Sequence, residues 1–207
     1  MTLAIGLYIA AELIANITAV KPIVLAFGLV VPAGVFVYAL TFTLLDLINE
    51  RMGKRGARRV IGTAFCTNLF LAAYAQLTVW WPAPAFFDGQ AAVVRVLGAT
   101  PRIVGASLIA YIVSSLIDAE VFAWWRARVG GHRWMRVLTS NTLSTGVDSV
   151  IFVTLAFADV LPVLPLIVGQ YVVKMVVTVV SLPLIYLIRS SPGAPTGATW
   201  APGERVP

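Results

Sequence analysis

Six apolar segments succeed one another along the chain, at about 3–19, 33–49, 60–80, 102–124, 138–159 and 163–188, separated by charged or Pro/Gly-rich punctuation. At about 1.5 Å of rise per residue, each can cross a hydrocarbon layer of about 30 Å as a helix. The 59% hydrophobic and 12% charged content, with a mean hydropathy of +0.91, exceeds what a soluble fold of 207 residues needs for its core. The expectation is an all-α membrane protein, a bundle of six transmembrane helices over 1–189. The tail 190–207, rich in Pro, Gly and Ser, is expected to be disordered.

The first segment resembles a secretory leader in ending on small residues. It lacks a basic start, however, and Glu12 interrupts it, so it reads as the first span. Between the first two spans, the apolar stretch 20–32 is bracketed by Lys21-Pro22 and Pro32 with Gly28 inside, too short for another crossing. An irregular or re-entrant cap packed on the outer mouth is expected there, where protein can satisfy its backbone. Loop 50–59 holds five Lys/Arg, and loop 125–137 holds four Arg and His132, while 81–101 and 160–162 are nearly free of basic residues. The basic runs belong in the cytoplasm, which places both termini there. Trp80, Trp81, Phe86 and Phe87 then form an outer aromatic belt, and Trp124, Trp125 and Trp134 an inner one. The net charge of +6 is therefore a topology signal and not a nucleic-acid face.

Two charges break the apolar pattern at its deepest points. Counted inward from span ends near Thr139 and Val163, Asp148 lies about 14 Å and Lys174 about 16 Å deep, close to the midplane of a layer of about 30 Å. A lone charge at that depth costs ~2.5 to 3.5 kcal/mol on insertion scales, so such residues usually face a bundle interior and mark a solute or ion path. Other polar residues fall at helical spacing: Tyr8, Glu12 and Asn16 in the first span, and Ser107, Tyr111, Ser114 and Asp118 in the fourth. Asn141, Thr145 or Ser144, and Asp148 do so in the fifth, and Gln170, Lys174 and Thr178 in the sixth. Glu12, Asn16, Asn68, Asp148, Gln170 and Lys174 converge as a candidate solute site. The plainer reading is a buried Asp148–Lys174 pair with hydrogen-bonded amides that fixes helix register. Nearer the inner end, Asp46 and Asp118 with Arg51 read as ion pairs that staple helix ends or gate the path.

Two midplane carboxylates, Glu12 and Asp148, face one ammonium, Lys174, so one carboxylate is protonated, hydrated or matched by something cationic. Ala11, Ala15 and Ala19 form a small-residue stripe suited to close helix packing, within this bundle or against a partner. Catalysis finds little support. His132 lies in a basic loop, and the single Cys66 reads as a small core residue. Neither a Ser-His pair nor a metal-ligand cluster can be built within the membrane, and no nucleotide-binding loop is present. The chain reads as a transporter with no cofactor and no metal, its partners a small solute and the lipid bilayer.

The run PAGVFVYALTFTLLDLINERMGKRGARR, followed by PRIVGASLIAYIVSSLIDAEVF, TGVDSVIFVTLAF and QYVVKMVVTVVSLPLIY, resembles the queuosine precursor transporter family, also called the vitamin uptake transporter family. The resemblance covers about Pro32 to Tyr186. It implies uptake of a nucleobase-like solute across a bacterial inner membrane by a multi-pass protein. That solute is a 7-deazaguanine such as the cyano or aminomethyl queuosine precursor. The implied fold is similar to the substrate-binding subunits of energy-coupling-factor vitamin transporters. Under this resemblance Asp148 takes the guanidine-like edge of the base, Lys174 or Asn68 its O6, and Gln170 and Asn16 its ring nitrogens. Phe152, Phe42 and Tyr171 supply walls, and Glu12 is left to meet an aminomethyl ammonium. Thr145 departs from the family's pattern, where an amide is frequent three residues before the aspartate. The alternative is a vitamin- or nucleobase-binding subunit that needs a separate ATP-driven coupling partner; a homo-oligomer is a further possible assembly.

Overall fold

A computed structural model describes residues 1–128 and 133–189, with side chains for all of these except 46, 50, 54, 118, 119, 122, 123, 125–141 and 181–189. The side chains of Asp46, Asp118, Trp125 and Trp134, the residue His132 and the tail 190–207 therefore lie outside the described residues. The chain is mostly helical: α1 (Thr2–Thr18), α2 (Val35–Trp80), α3 (Gln90–Leu97), α4 (Thr100–Arg128), α5 (Arg133–Phe157) and α6 (Val163–Arg189). Among the described residues three stretches are long and apolar enough to cross a membrane. They are Arg55–Trp80, Gln90–Ile117 (α3 with the first part of α4) and Val163–Val180. Thr2–Thr18, Val35–Asn49 and Thr142–Phe157 are shorter apolar helices. These are the features of an all-α type membrane protein.

The punctuation between spans is more ordered than its polarity suggests. The expected loop 50–59 is helical, and α2 breaks at Gly53, whose φ of 68° and ψ of 177° a side chain would oppose. Arg51, Met52, Arg55 and their neighbours are good helix formers, so the basic run stays helical on both sides of that one residue. The two limbs of α2 fold back on each other. Leu44, Leu45 and Ile48 of the first join Ala57, Val60 and Ala64 of the second in one apolar cluster around Tyr8 of α1. The segment 81–101, expected as a loop, contains α3, and the expected loop 125–137 is shortened from both sides by α4 and α5.

The irregular cap expected over 20–32 is a β-hairpin. Strand β1 (Pro22–Val24) pairs antiparallel with β2 (Val30–Pro32), in the register Pro22 with Pro32, Ile23 with Val31 and Val24 with Val30. The turn between them passes through left-handed backbone at Phe27 and Gly28, with φ of 61° and 74°. Pairing closes the backbone that a short apolar excursion would otherwise leave unsatisfied, and Leu25 N–H to Leu29 O at 2.7 Å and Ala33 N–H to Lys21 O at 2.9 Å extend it. Val31 is fully buried against Val35 and Val173, which seats the hairpin on α6.

Seating depends on missing side chains. A Cβ at Gly169 would collide with the Val30 carbonyl and the Val31 side chain, and one at Gly34 with the Ala15 carbonyl. Ala11, Ala15 and Ala19 are all buried within the bundle, Ala19 beside Ile103, Val153 and Leu166. Their stripe is thus filled by the chain's own helices. In lipid, where apolar contact brings no gain over acyl chains, such close packing is what holds helices together. Arg102, at the start of α4, donates to the carbonyls of Leu155 (2.7 Å) and Ala158 (2.8 Å), which the end of α5 leaves without helical partners. Trp80, Trp81, Phe86 and Phe87 are all exposed around the end of α2 and the segment that follows it, as side chains of an interfacial belt would be. Cys66, expected in the core, is exposed, because it lies on the outward face of α2's second limb.

Gly169→Leu and Gly34→Leu should each lower the thermal midpoint in detergent, by the equivalent of about 1–3 kcal/mol for forced overpacking. Gly62→Ala, where a Cβ meets open space, should leave it unchanged or slightly raised.

Candidate functional site

Helices α5 and α6 bring Asp148 and Lys174 together. The Lys174 ammonium donates to Asp148 Oδ2 in a buried ion pair, with the two residues 5% and 9% exposed. At that burial neither partner can rely on water, so each depends on the other. Lys174 Nζ also lies 4.9 Å from the ring centroid of Tyr38, a cation–π contact from the first limb of α2. Phe42, one turn further on, meets the Tyr38 ring edge-on with centroids 5.4 Å apart. That ring is held from two sides.

The pair sits in a narrow cleft that is partly open to the surroundings. Asn16, Tyr38, Ser107, Asp148, Phe152, Gln170 and Lys174 line it, and Pro32, Gly34 and Val35 of the hairpin's exit close one end. Gln170 and Asn16 are buried. The side-chain amide of Asn16 donates to Asn68 Oδ1 at 2.7 Å, and Asn68 Nδ2 donates to the Ala64 carbonyl at 3.0 Å. Asn68 belongs to a second cleft, likewise partly open, lined by Tyr8, Glu12, Tyr38, Phe65, Asn68, Ser107 and Tyr111. The first cleft lies toward the hairpin end of the bundle and the second toward the Gly53 end. Tyr38 and Ser107 line both.

The expected site residues thus divide. Asp148, Lys174, Gln170, Asn16 and Phe152 share the cleft at the hairpin end, and Glu12 and Asn68 the cleft at the Gly53 end. After the orientation expected from the basic runs, these are the outer and the inner cleft. Phe42 is exposed and reaches the clefts only through Tyr38. Tyr171 follows Gln170 in the helix and so points elsewhere, into an apolar groove on the outside of the bundle with Leu143, Gly146 and Val150. Thr145 is half-buried and lines neither cleft. Arg51 is exposed beside the Gly53 break. Tyr38 was missed by sequence reasoning, since one tyrosine in an apolar run carries no signal. Ser107 was legible as part of the polar face of α4, and Tyr8 as part of that of α1.

Apolar helices packed around a buried ion pair and buried amides are the features of an integral membrane protein. The family model described as "Putative vitamin uptake transporter" matches residues 32–188. A protein of Bacillus subtilis (strain 168) named "Probable queuosine precursor transporter" is 30% identical over 184 residues, covering 86% of this chain and 80% of that protein. No solved structure matches the chain. The chain belongs to the vitamin uptake transporter family.

If the buried pair is held mainly by mutual compensation, Asp148→Leu alone should cost about 3–5 kcal/mol by leaving Lys174 charged and unpartnered. Adding Lys174→Met should restore most of that loss, and thermal unfolding of the two variants beside wild type measures both steps.

Proposed function

We propose that this protein carries a 7-deazaguanine queuosine precursor, such as the cyano or aminomethyl base, into a bacterial cell across the inner membrane. In this reading six helices cross the bilayer: α1, the two limbs of α2, α4, α5 and α6. Both termini and the basic runs face the cytoplasm, and the hairpin closes the outer mouth. The observation that carries the reading is the outer cleft, where a carboxylate, an ammonium and two buried amides converge beside an aromatic wall. The name of the Bacillus subtilis relative supplies the solute.

The chemistry of the base suits these groups. Its N1–H and exocyclic amine are parallel donors that one carboxylate can accept together, and O6 accepts from an ammonium or an amide. Asp148 takes the donor edge and Lys174 turns to O6, so each charge keeps a partner when the ion pair opens. Gln170 and Asn16 serve the ring nitrogens, and Phe152 with Tyr38 encloses the flat ring. This replacement of one satisfied set by another makes binding affordable in a low-dielectric interior. No catalytic step is assigned, and the family and its relative are named for transport.

Thermal unfolding of the purified protein with and without a 7-deazaguanine tests the assignment. A ligand at a hundredfold excess over its Kd stabilises by ~2.7 kcal/mol, which should raise the midpoint of wild type by several degrees. Asp148→Asn and Lys174→Ala should lose that shift. A wild type indifferent to every 7-deazaguanine but stabilised by another nucleobase or vitamin would overturn the substrate.

A further inference from the structure

The outer cleft accounts for Asp148 and Lys174 but leaves a third midplane charge. The ion pair among the described residues joins Lys174 to Asp148, and Glu12 has no such partner among them. Glu12 opens on the inner cleft, whose other walls include Tyr8 one helical turn away on α1, Tyr38 and Phe65 from the two limbs of α2, and Tyr111 on α4. Four aromatic side chains around one carboxylate form the surroundings that stabilise an organic ammonium, through the negative faces of the rings and one counter-charge. Tyr38 already serves the Lys174 ammonium in this way.

With both carboxylates ionised, Glu12 and Asp148 against Lys174 leave one negative charge in excess, which either a proton on Glu12 or a single bound cation brings to zero. The two clefts also adjoin. Tyr38 and Ser107 belong to both, and the Asn16–Asn68 hydrogen bond runs from a residue of one to a residue of the other. A short substituent on a base held in the outer cleft would meet the inner one at Tyr38 and Ser107, the residues the two clefts share.

We propose that the inner cleft is a subsite for a compact organic ammonium, with Glu12 as its counter-charge and Tyr8, Tyr38 and Tyr111 as its walls. The cargo of the joined clefts is then a flat hydrogen-bonding base that bears a primary ammonium on a short arm. In terms of the bases considered above, it is the aminomethyl and not the cyano form. The inference rests on the reading of the outer cleft as the seat of the base, and it selects among bases that this reading alone treats alike.

The test compares the 7-aminomethyl and 7-cyano bases at pH 7, where the first is a cation and the second neutral, by binding to the full-length protein in detergent. Wild type should bind the aminomethyl base at least tenfold more tightly. Glu12→Gln should bring that ratio close to one whatever happens to the absolute affinities, and Glu12→Asp, which keeps the charge, should retain a preference. Equal affinities in wild type, or a preference that survives in Glu12→Gln, would overturn the proposal. If neither base binds, the reading of the outer cleft fails and the subsite is judged separately, by thermal shift with millimolar benzylammonium against benzyl alcohol. Stabilisation of wild type by the ammonium alone, lost in Glu12→Gln, upholds the subsite with a different cargo. The same response to both compounds, or to neither, sinks it.

Discussion

The buried pairing of Asp148 with Lys174 is the contact on which the interior depends. Two opposite charges withdrawn from water are expensive apart, and their mutual attraction offsets that cost only when their remaining hydrogen-bonding capacity is met nearby. The surroundings fit this demand: the Tyr38 ring stands over the ammonium, and Gln170 and Asn16 are buried along the same cleft. The pair also fixes α5 against α6 at one rotation and one height, because a residue's shift in either helix would carry a charge toward lipid. In the proposed function each charge exchanges its partner for a ligand group of complementary character. An apolar core of the same shape could be as stable, but it would offer a polar base nothing.

Holding charges together inside lipid requires helices that approach closely, and here small residues decide the geometry. Gly34 lies against the backbone of Ala15, and Gly169 against that of Val30, so α1, the hairpin and α6 meet without intervening side chains. Large apolar residues such as Phe70, Leu116 and Leu164 are exposed, which lipid favours and water would not. Threonines that would otherwise bring an unmet hydroxyl into the membrane bond back to carbonyls four residues earlier, as Thr63, Thr67, Thr78 and Thr178 do at 2.7 to 2.9 Å.

What could be read from the sequence follows from which signals are local. Helical spacing identified Asp148, Gln170 and Lys174, since a polar side chain in an apolar helix stands out, and depth counting placed the two charges level enough to pair. The same logic could not separate Asn68 from Asn16. Their hydrogen bond joins residues 52 apart in the chain, and which cleft each lines depends on how α2 folds back at Gly53. The hairpin escaped for a related reason: three-residue strands of Pro, Ile and Val carry no alternation to detect, and their pairing is enforced by the need to close backbone near lipid. Tyr38 illustrates the limit. Its importance comes from standing between Lys174, Phe42 and two clefts, none of which is encoded within a turn of its own position.

Tyr38 lies between the two clefts and lines both. Its ring stands over the Lys174 ammonium and also lines the Glu12 cleft, so the electrostatics of the two clefts meet in a single side chain. A neutral pair beside a lone carboxylate is an incomplete arrangement in a low-dielectric interior, where an uncompensated charge has no water to fall back on. A bundle needing only register would do better with Glu12 replaced by an apolar residue. A proton on Glu12 or a cation beside it supplies the missing compensation, and in the subsite proposed above the ammonium of the cargo does so.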